Sequence, residues 1–137
     1  MKTLFCIALC VLLGLASAFG QSLATMKVNV PFSFSLDDRT YPAGEYTFSA
    51  MKENVVLLRN TNESTSSMIV TDHAAGHSRR VIPSIQFECY DRECFVSQLW
   101  IPGHDDGFQL RRTRAELRAA AKTSGRYLAL AANSAAK

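Results

Sequence analysis

The sequence predicts a mainly β fold, a small antiparallel sandwich or open barrel with one C-terminal α-helix. Three observations carry that expectation. Apolar residues alternate with polar ones from Val28 to Leu36, the period of a half-buried strand. Turn-forming residues then recur at short intervals, which keeps strands short and antiparallel. Only one stretch, opening at Thr113, carries helix-starting chemistry.

The body begins with Val28, Val30, Phe32, Phe34 and Leu36 on one face. Pro31 cannot donate to a ladder, so this strand is expected at an edge or bulged there. Asp37-Asp38-Arg39 and Tyr41-Pro42-Ala43-Gly44 read as turns. Tyr46, Phe48 and Ala50 form a second strand, Val55 to Leu58 a third, and Met68 to Val70 a short fourth after the polar loop Asn60 to Ser67. That loop holds the formal glycosylation sequon Asn62-Glu63-Ser64, which matters only in a host that glycosylates. Asp72 to Arg80 reads as a loop. Two strands, Ile82 to Cys89 and Cys94 to Ile101, flank the turn Tyr90-Asp91-Arg92-Glu93. Pro102 to Gly107 is loop-like, and Phe108 to Leu110 a last short strand.

The helix is expected over about residues 113–124. Thr113 and Glu116 have the spacing of a capping box, the alanines that follow are strong helix formers, and Gly125 offers a stop. Leu117, Ala120 and Ala121 make its modest apolar stripe. Residues 126–137 are expected to fray.

Ahead of the domain, Met1-Lys2-Thr3, the apolar run Leu4 to Leu15 and Ala16-Ser17-Ala18 have the layout of a cleavable secretory signal over residues 1–18. The run is shorter than the roughly 20 residues that cross a bilayer. A lipoprotein reading at Cys10 fails on the bulky Leu9. Residues 19–25 read as a flexible lead-in and 26–125 as one domain. No second apolar run has spanning length, so no transmembrane segment is expected after cleavage. Export to the periplasm or medium follows.

Cys6 and Cys10 leave with the signal, so Cys89 and Cys94 remain. Exported compartments are oxidising, and as cross-strand neighbours the two are expected to form a disulfide. Their four-residue gap is not that of a redox motif.

The formal charge of +3 is unevenly spread. Residues 19–110 sum to −4, whereas Arg111 to Lys137 hold seven basic residues against Glu116 alone. A basic tail including Arg111, Arg112, Arg114 and Arg118 would meet an acidic envelope surface or lie on its own body. Export removes nucleic acid as an expected partner.

No catalytic or cofactor motif stands in the chain, and no metal site is expected. His73 and His77 lie in loop-like sequence, where two solvated histidines are a better reading than zinc ligands. Asp37-Asp38 and Asp105-Asp106 sit among turn residues, where aspartate caps its own backbone. Trp100, the only tryptophan, stands at a strand end near His104. It would serve either the core or a loop-mouth grip on a small ligand, a sugar or peptide.

Three stretches together, Val30-Pro31-Phe32-Ser33-Phe34, Tyr41-Pro42-Ala43-Gly44-Glu45-Tyr46, and Phe95-Val96-Ser97-Gln98-Leu99-Trp100 running on to Arg114-Ala115-Glu116, resemble a group of small secreted β-rich proteins of soil (Acidobacteria-like) bacteria. The resemblance covers most of the mature chain and implies a bacterial exported β domain without implying an activity. The Cys89–Cys94 pair departs from the tyrosine- and glycine-rich hairpin of that group. The expected function is a non-enzymatic envelope or extracellular protein that binds a partner or ligand. The alternatives are an enzyme whose site forms only in three dimensions and a purely structural surface protein.

Overall fold

A computed structural model describes residues 23–74 and 82–133. Among the described residues the fold is mainly β, built as two sheets with one short helix near the C-terminus and no closed barrel. The first sheet has the order β1 (Thr25–Val30), β4 (Gly44–Lys52), β5 (Val55–Asn60) and β6 (Ser66–Val70). The second runs β11 (Arg126–Ala131), β8 (Ser84–Tyr90), β9 (Glu93–Trp100), β10 (Gly107–Gln109) and β7 (Asp72–Ala74). A hairpin of β2 (Phe34–Leu36) and β3 (Arg39–Tyr41) joins the second sheet where Ser35 meets Phe95 in parallel.

The alternation from Val28 to Leu36 is real, but it is not one strand. The chain leaves the first sheet after Val30 and enters the second at Phe34. Pro31, with no N–H to give, stands at the crossing. Val28, Val30, Phe34 and Leu36 nevertheless all face the common core. There Phe34 meets Tyr41, Tyr46 and Phe87 at ring separations of 5.5, 5.0 and 5.7 Å. Leu58, Ile69, Ile85 and Leu99 fill the remaining space between the sheets. Burying each such side chain contributes about 1.5–3 kcal/mol.

Two aspartates turn the β2–β3 hairpin. Asp37 and Asp38 have φ of 54° and 38°, and Leu36 faces Arg39 directly, the left-handed two-residue connection that matches strand twist.

Three expectations are corrected. Residues 126–131, read as a fraying tail, form β11, paired along its length with β8 from Arg126↔Cys89 to Ala131↔Ser84. Beyond it, the Asn133 N–H donates to the Lys27 carbonyl at 2.8 Å, which brings β11 against β1. Backbone pairing decides here over the helical propensity of an alanine- and leucine-rich run. The lead-in also ends earlier, because Thr25 already pairs with Ser49. Asp72 to Ala74, read as loop, makes the edge strand β7 against β10. The signal segment, His77 and the last four residues lie outside the described residues.

The helix α1 (Arg114–Lys122) is capped as expected: Thr113 Oγ1 accepts the Glu116 N–H at 3.2 Å. Its buried side is not the expected stripe. Glu116 and Ala119 are buried and Leu117 is 52% exposed. Ala119 and Ala120 rest on Tyr90 and Phe95, which project from the outer face of the second sheet. Alanine allows the helix backbone close to two large rings, and the larger Leu117 is turned to solvent.

Candidate functional site

The outer face of the second sheet is polar, and α1 covers only one end of it. The rest is assembled by register. Ile85, Phe87 and Cys89 of β8 point into the core, so Gln86, Glu88 and Tyr90 point outward. On β9 the register slips between Gln86 and Phe87: Phe87 faces Val96 and Gln86 faces Gln98, leaving Ser97 as the extra residue. That bulge sets Gln98 directly opposite Gln86 on the outward face. Gln98 in turn faces Gln109 of β10. Three glutamines therefore lie in a row across three strands. Gln98 Nε2 donates to Gln109 Oε1 at 2.7 Å, and Gln109 Nε2 donates to the Ser97 carbonyl at 3.1 Å. Ser97 Oγ donates to the Gln86 carbonyl at 3.2 Å.

One row along, Tyr127 of β11 faces Glu88, and the start of α1 closes over the pair. Arg112 donates to both Glu88 oxygens at 3.0 and 2.8 Å, and its Nε stands 3.8 Å from Glu116 Oε1. Glu88, Glu116, Arg112, Tyr127 and the glutamine row line a recess of about 180 Å³. Burial is the main cause that raises the Glu116 pKa. Arg112 pulls it down and Glu88 pushes it up. Gly125 passes so close that a Cβ there would lie 2.8 Å from Tyr90 Cε1 and 3.0 Å from Glu88 Oε1.

Trp100 lies on the same outer face, half-buried, with its ring closed over Gly107. A Cβ at Gly107 would come within 2.9 Å of the indole. The indole Nε1 is buried and makes no hydrogen bond among the described residues. The tryptophan is thus outside the inter-sheet core. His104 stands apart from it, its ring 5.3 Å from Phe108, in an open cleft of about 510 Å³ that His73, Met51 and Glu53 also line. Both histidines are exposed, His73 on the edge strand β7 and His104 in the loop between β9 and β10. Among the described residues no group of three His, Cys, Asp or Glu side chains gathers as metal ligands.

The basic tail divides in two. Arg111 binds Asp72 through two parallel hydrogen bonds of 2.7 and 2.9 Å, and that contact holds the Asp72 carboxyl below its ordinary pKa. Arg112 is committed to Glu88. These two are paired with carboxylates of the body. Arg114 and Arg118 remain exposed on α1 with Lys122, and none of the three makes an ion pair among the described residues. Their spacing of four places them along one helix side.

Cys89 and Cys94 form the expected disulfide across the β8–β9 hairpin, with Cα atoms 4.0 Å apart. Among the described residues, no helix is long and apolar enough to cross a membrane. Comparison of the chain with family models, curated proteins and solved structures finds no match.

Sequence reading missed the recess. Gln86 and Glu88 alternate with core residues, which marks them as outward. Nothing in the sequence says that the helix beginning at Arg114 folds over them, or that Tyr127 sits in a strand at all.

Proposed function

We propose that this chain is an exported, non-enzymatic bacterial envelope protein that attaches to anionic envelope material through α1. The observation that carries the reading is the line of exposed cations Arg114, Arg118 and Lys122 on the outward side of the helix, with exposed Leu117 beside them. Internal ion pairs occupy Arg111 and Arg112, so the attachment falls to these three. An anionic surface attracts each nearby cation by about 1 kcal/mol, and the attraction fades with salt. The layout of residues 1–18 supports export, as does the Cys89–Cys94 bridge, which suits an oxidising compartment. The resemblance to secreted proteins of soil bacteria points the same way.

The test uses the mature chain and vesicles of phosphatidylglycerol mixed with phosphatidylcholine. Replacing Arg114, Arg118 and Lys122 together by glutamine should weaken binding by about a hundredfold and leave the melting temperature unchanged. Binding by the parent chain should fall as salt rises. Equal binding by parent and variant removes the attachment role.

A further inference from the structure

We infer that the recess between the outer face of the second sheet and the start of α1 binds one neutral sugar unit, with Gln86, Glu88 and Arg112 meeting its hydroxyls and the Tyr127 ring forming its outer wall. This goes beyond attachment through the helix, and the two sites have opposite charge preferences.

Four observations lead there. The first is donor and acceptor supply. A sugar hydroxyl both gives and takes a hydrogen bond, so its site needs both kinds of group side by side. The Gln86 amide supplies both, and its side chain makes no hydrogen bond among the described residues. The Glu88 and Glu116 carboxylates accept, and Arg112 donates. Gln98 gives one N–H to Gln109, and its carbonyl oxygen accepts no hydrogen bond among the described residues.

The second is the aromatic wall. Tyr127 lines the recess and is 72% exposed. It stands directly opposite Glu88, so one ring face is offered beside the polar floor. A pyranose presents an apolar C–H face beside its hydroxyl edge, the pairing such a wall and floor match.

The third is charge. Two carboxylates face one guanidinium within the recess, so its balance is negative. It repels phosphates and acidic sugars and admits neutral ones. Glu116, only 3% exposed, deepens that preference from below.

The fourth is rigidity. Gln86, Glu88, Gln98 and Gln109 stand on strands in fixed register, Arg112 is anchored at two oxygens, and Gly125 holds the adjoining chain against Tyr90 and Glu88. Arg112, Glu88, Gln98 and Gln109 are already held by hydrogen bonds, so little of their side-chain freedom remains to be lost on binding.

The experiment follows the side-chain amide signals of Gln86, Gln98 and Gln109 by nuclear magnetic resonance in the mature chain. The probes are methyl glycosides of glucose, galactose, mannose and N-acetylglucosamine, with methyl glucuronide as the acidic counterpart. At least one neutral glycoside should shift the Gln86 amide, and the glucuronide should not. Gln86→Leu and Tyr127→Ala should each weaken binding at least tenfold without lowering the melting temperature, Tyr127 being mostly in solvent. Replacing Arg114, Arg118 and Lys122 by glutamine should leave sugar binding intact, which separates this site from vesicle attachment. The inference is overturned if no neutral glycoside moves the Gln86 amide, if the glucuronide binds as well as its neutral counterpart, or if Tyr127→Ala binds like the parent.

Discussion

Arg112 reaches Glu88 with one guanidinium nitrogen that donates to both carboxylate oxygens, at 3.0 and 2.8 Å. Glu88 is 8% exposed and Glu116 3%, so this cation compensates two enclosed carboxylates at once. It also sets where the helix begins, because Arg112 immediately precedes the Thr113 cap. The ion pair, the cap and the alanine contacts with Tyr90 and Phe95 together hold α1 on the sheet.

Removing that cation should cost more than its own hydrogen bonds. Arg112→Leu leaves two buried carboxylates facing each other, and losing one partner of a charged hydrogen bond costs about 2 kcal/mol when the other stays behind. Urea unfolding should show the loss. Adding Glu88→Gln to Arg112→Leu should recover part of it, because the uncompensated charge is gone. A double variant no more stable than the single one would mean that the pair contributes no such coupling.

Gly107 should report on Trp100. The indole closes over the glycine at a distance that leaves no room for a methyl group, so Gly107→Ala must displace the ring or the strand. Trp100 is the only tryptophan, and intrinsic fluorescence therefore reads this displacement alone. The emission should move to longer wavelength as the indole meets water, and stability should fall by about 1–3 kcal/mol. Unchanged emission would place the ring elsewhere.

The disulfide staples one hairpin and closes a short loop. The loop entropy it removes from the unfolded chain is correspondingly small, about 2 kcal/mol. Cys89→Ser with Cys94→Ser should lower stability by that amount and leave the fold intact, as judged by far-ultraviolet circular dichroism. Loss of folding at ambient temperature would show that the bridge supports more than its hairpin.

Much of the fold was legible because period-two alternation survives almost anything. Val28 and Val30 mark an inward face, as do Tyr46 and Phe48, and local chemistry marks turns at Asp37-Asp38-Arg39 and Tyr90-Asp91-Arg92-Glu93, which the structure tightens to two residues each, Asp37-Asp38 and Asp91-Arg92. What alternation cannot register is a change of sheet. The pattern continues unbroken across Pro31, although β1 and β2 belong to different layers. Nor does it register an edge strand held by backbone pairing. Leu128, Ala129 and Leu130 read as frayed until β8 lies beside them. The candidate recess depended on the second blind spot and on the docking of a helix. Its wall, Tyr127, comes from the unexpected strand. Its roof comes from a helix whose buried side holds Glu116 in place of Leu117, a choice made by Glu88 and Arg112 across the sheet.

Alkaline pH should expose the contribution of Tyr90. Its hydroxyl is enclosed under α1 and makes no hydrogen bond among the described residues. Burial first, and the Glu88 carboxylate second, push its pKa from 10.0 up to about 12, with Arg112 working the other way. The unfolded chain therefore releases this proton near pH 10 while the folded chain keeps it to about pH 12. Across that window the folded state binds more protons, so stability falls as pH rises. The contribution is full below pH 10 and gone above the folded value. Tyr90→Phe has no proton to lose, so its denaturation midpoint should fall less steeply than that of the parent across the window. Every other ionisable group is common to both proteins and cancels in the difference. Parallel slopes for parent and variant would place the Tyr90 hydroxyl in water and undo the packing of α1 against this end of the sheet.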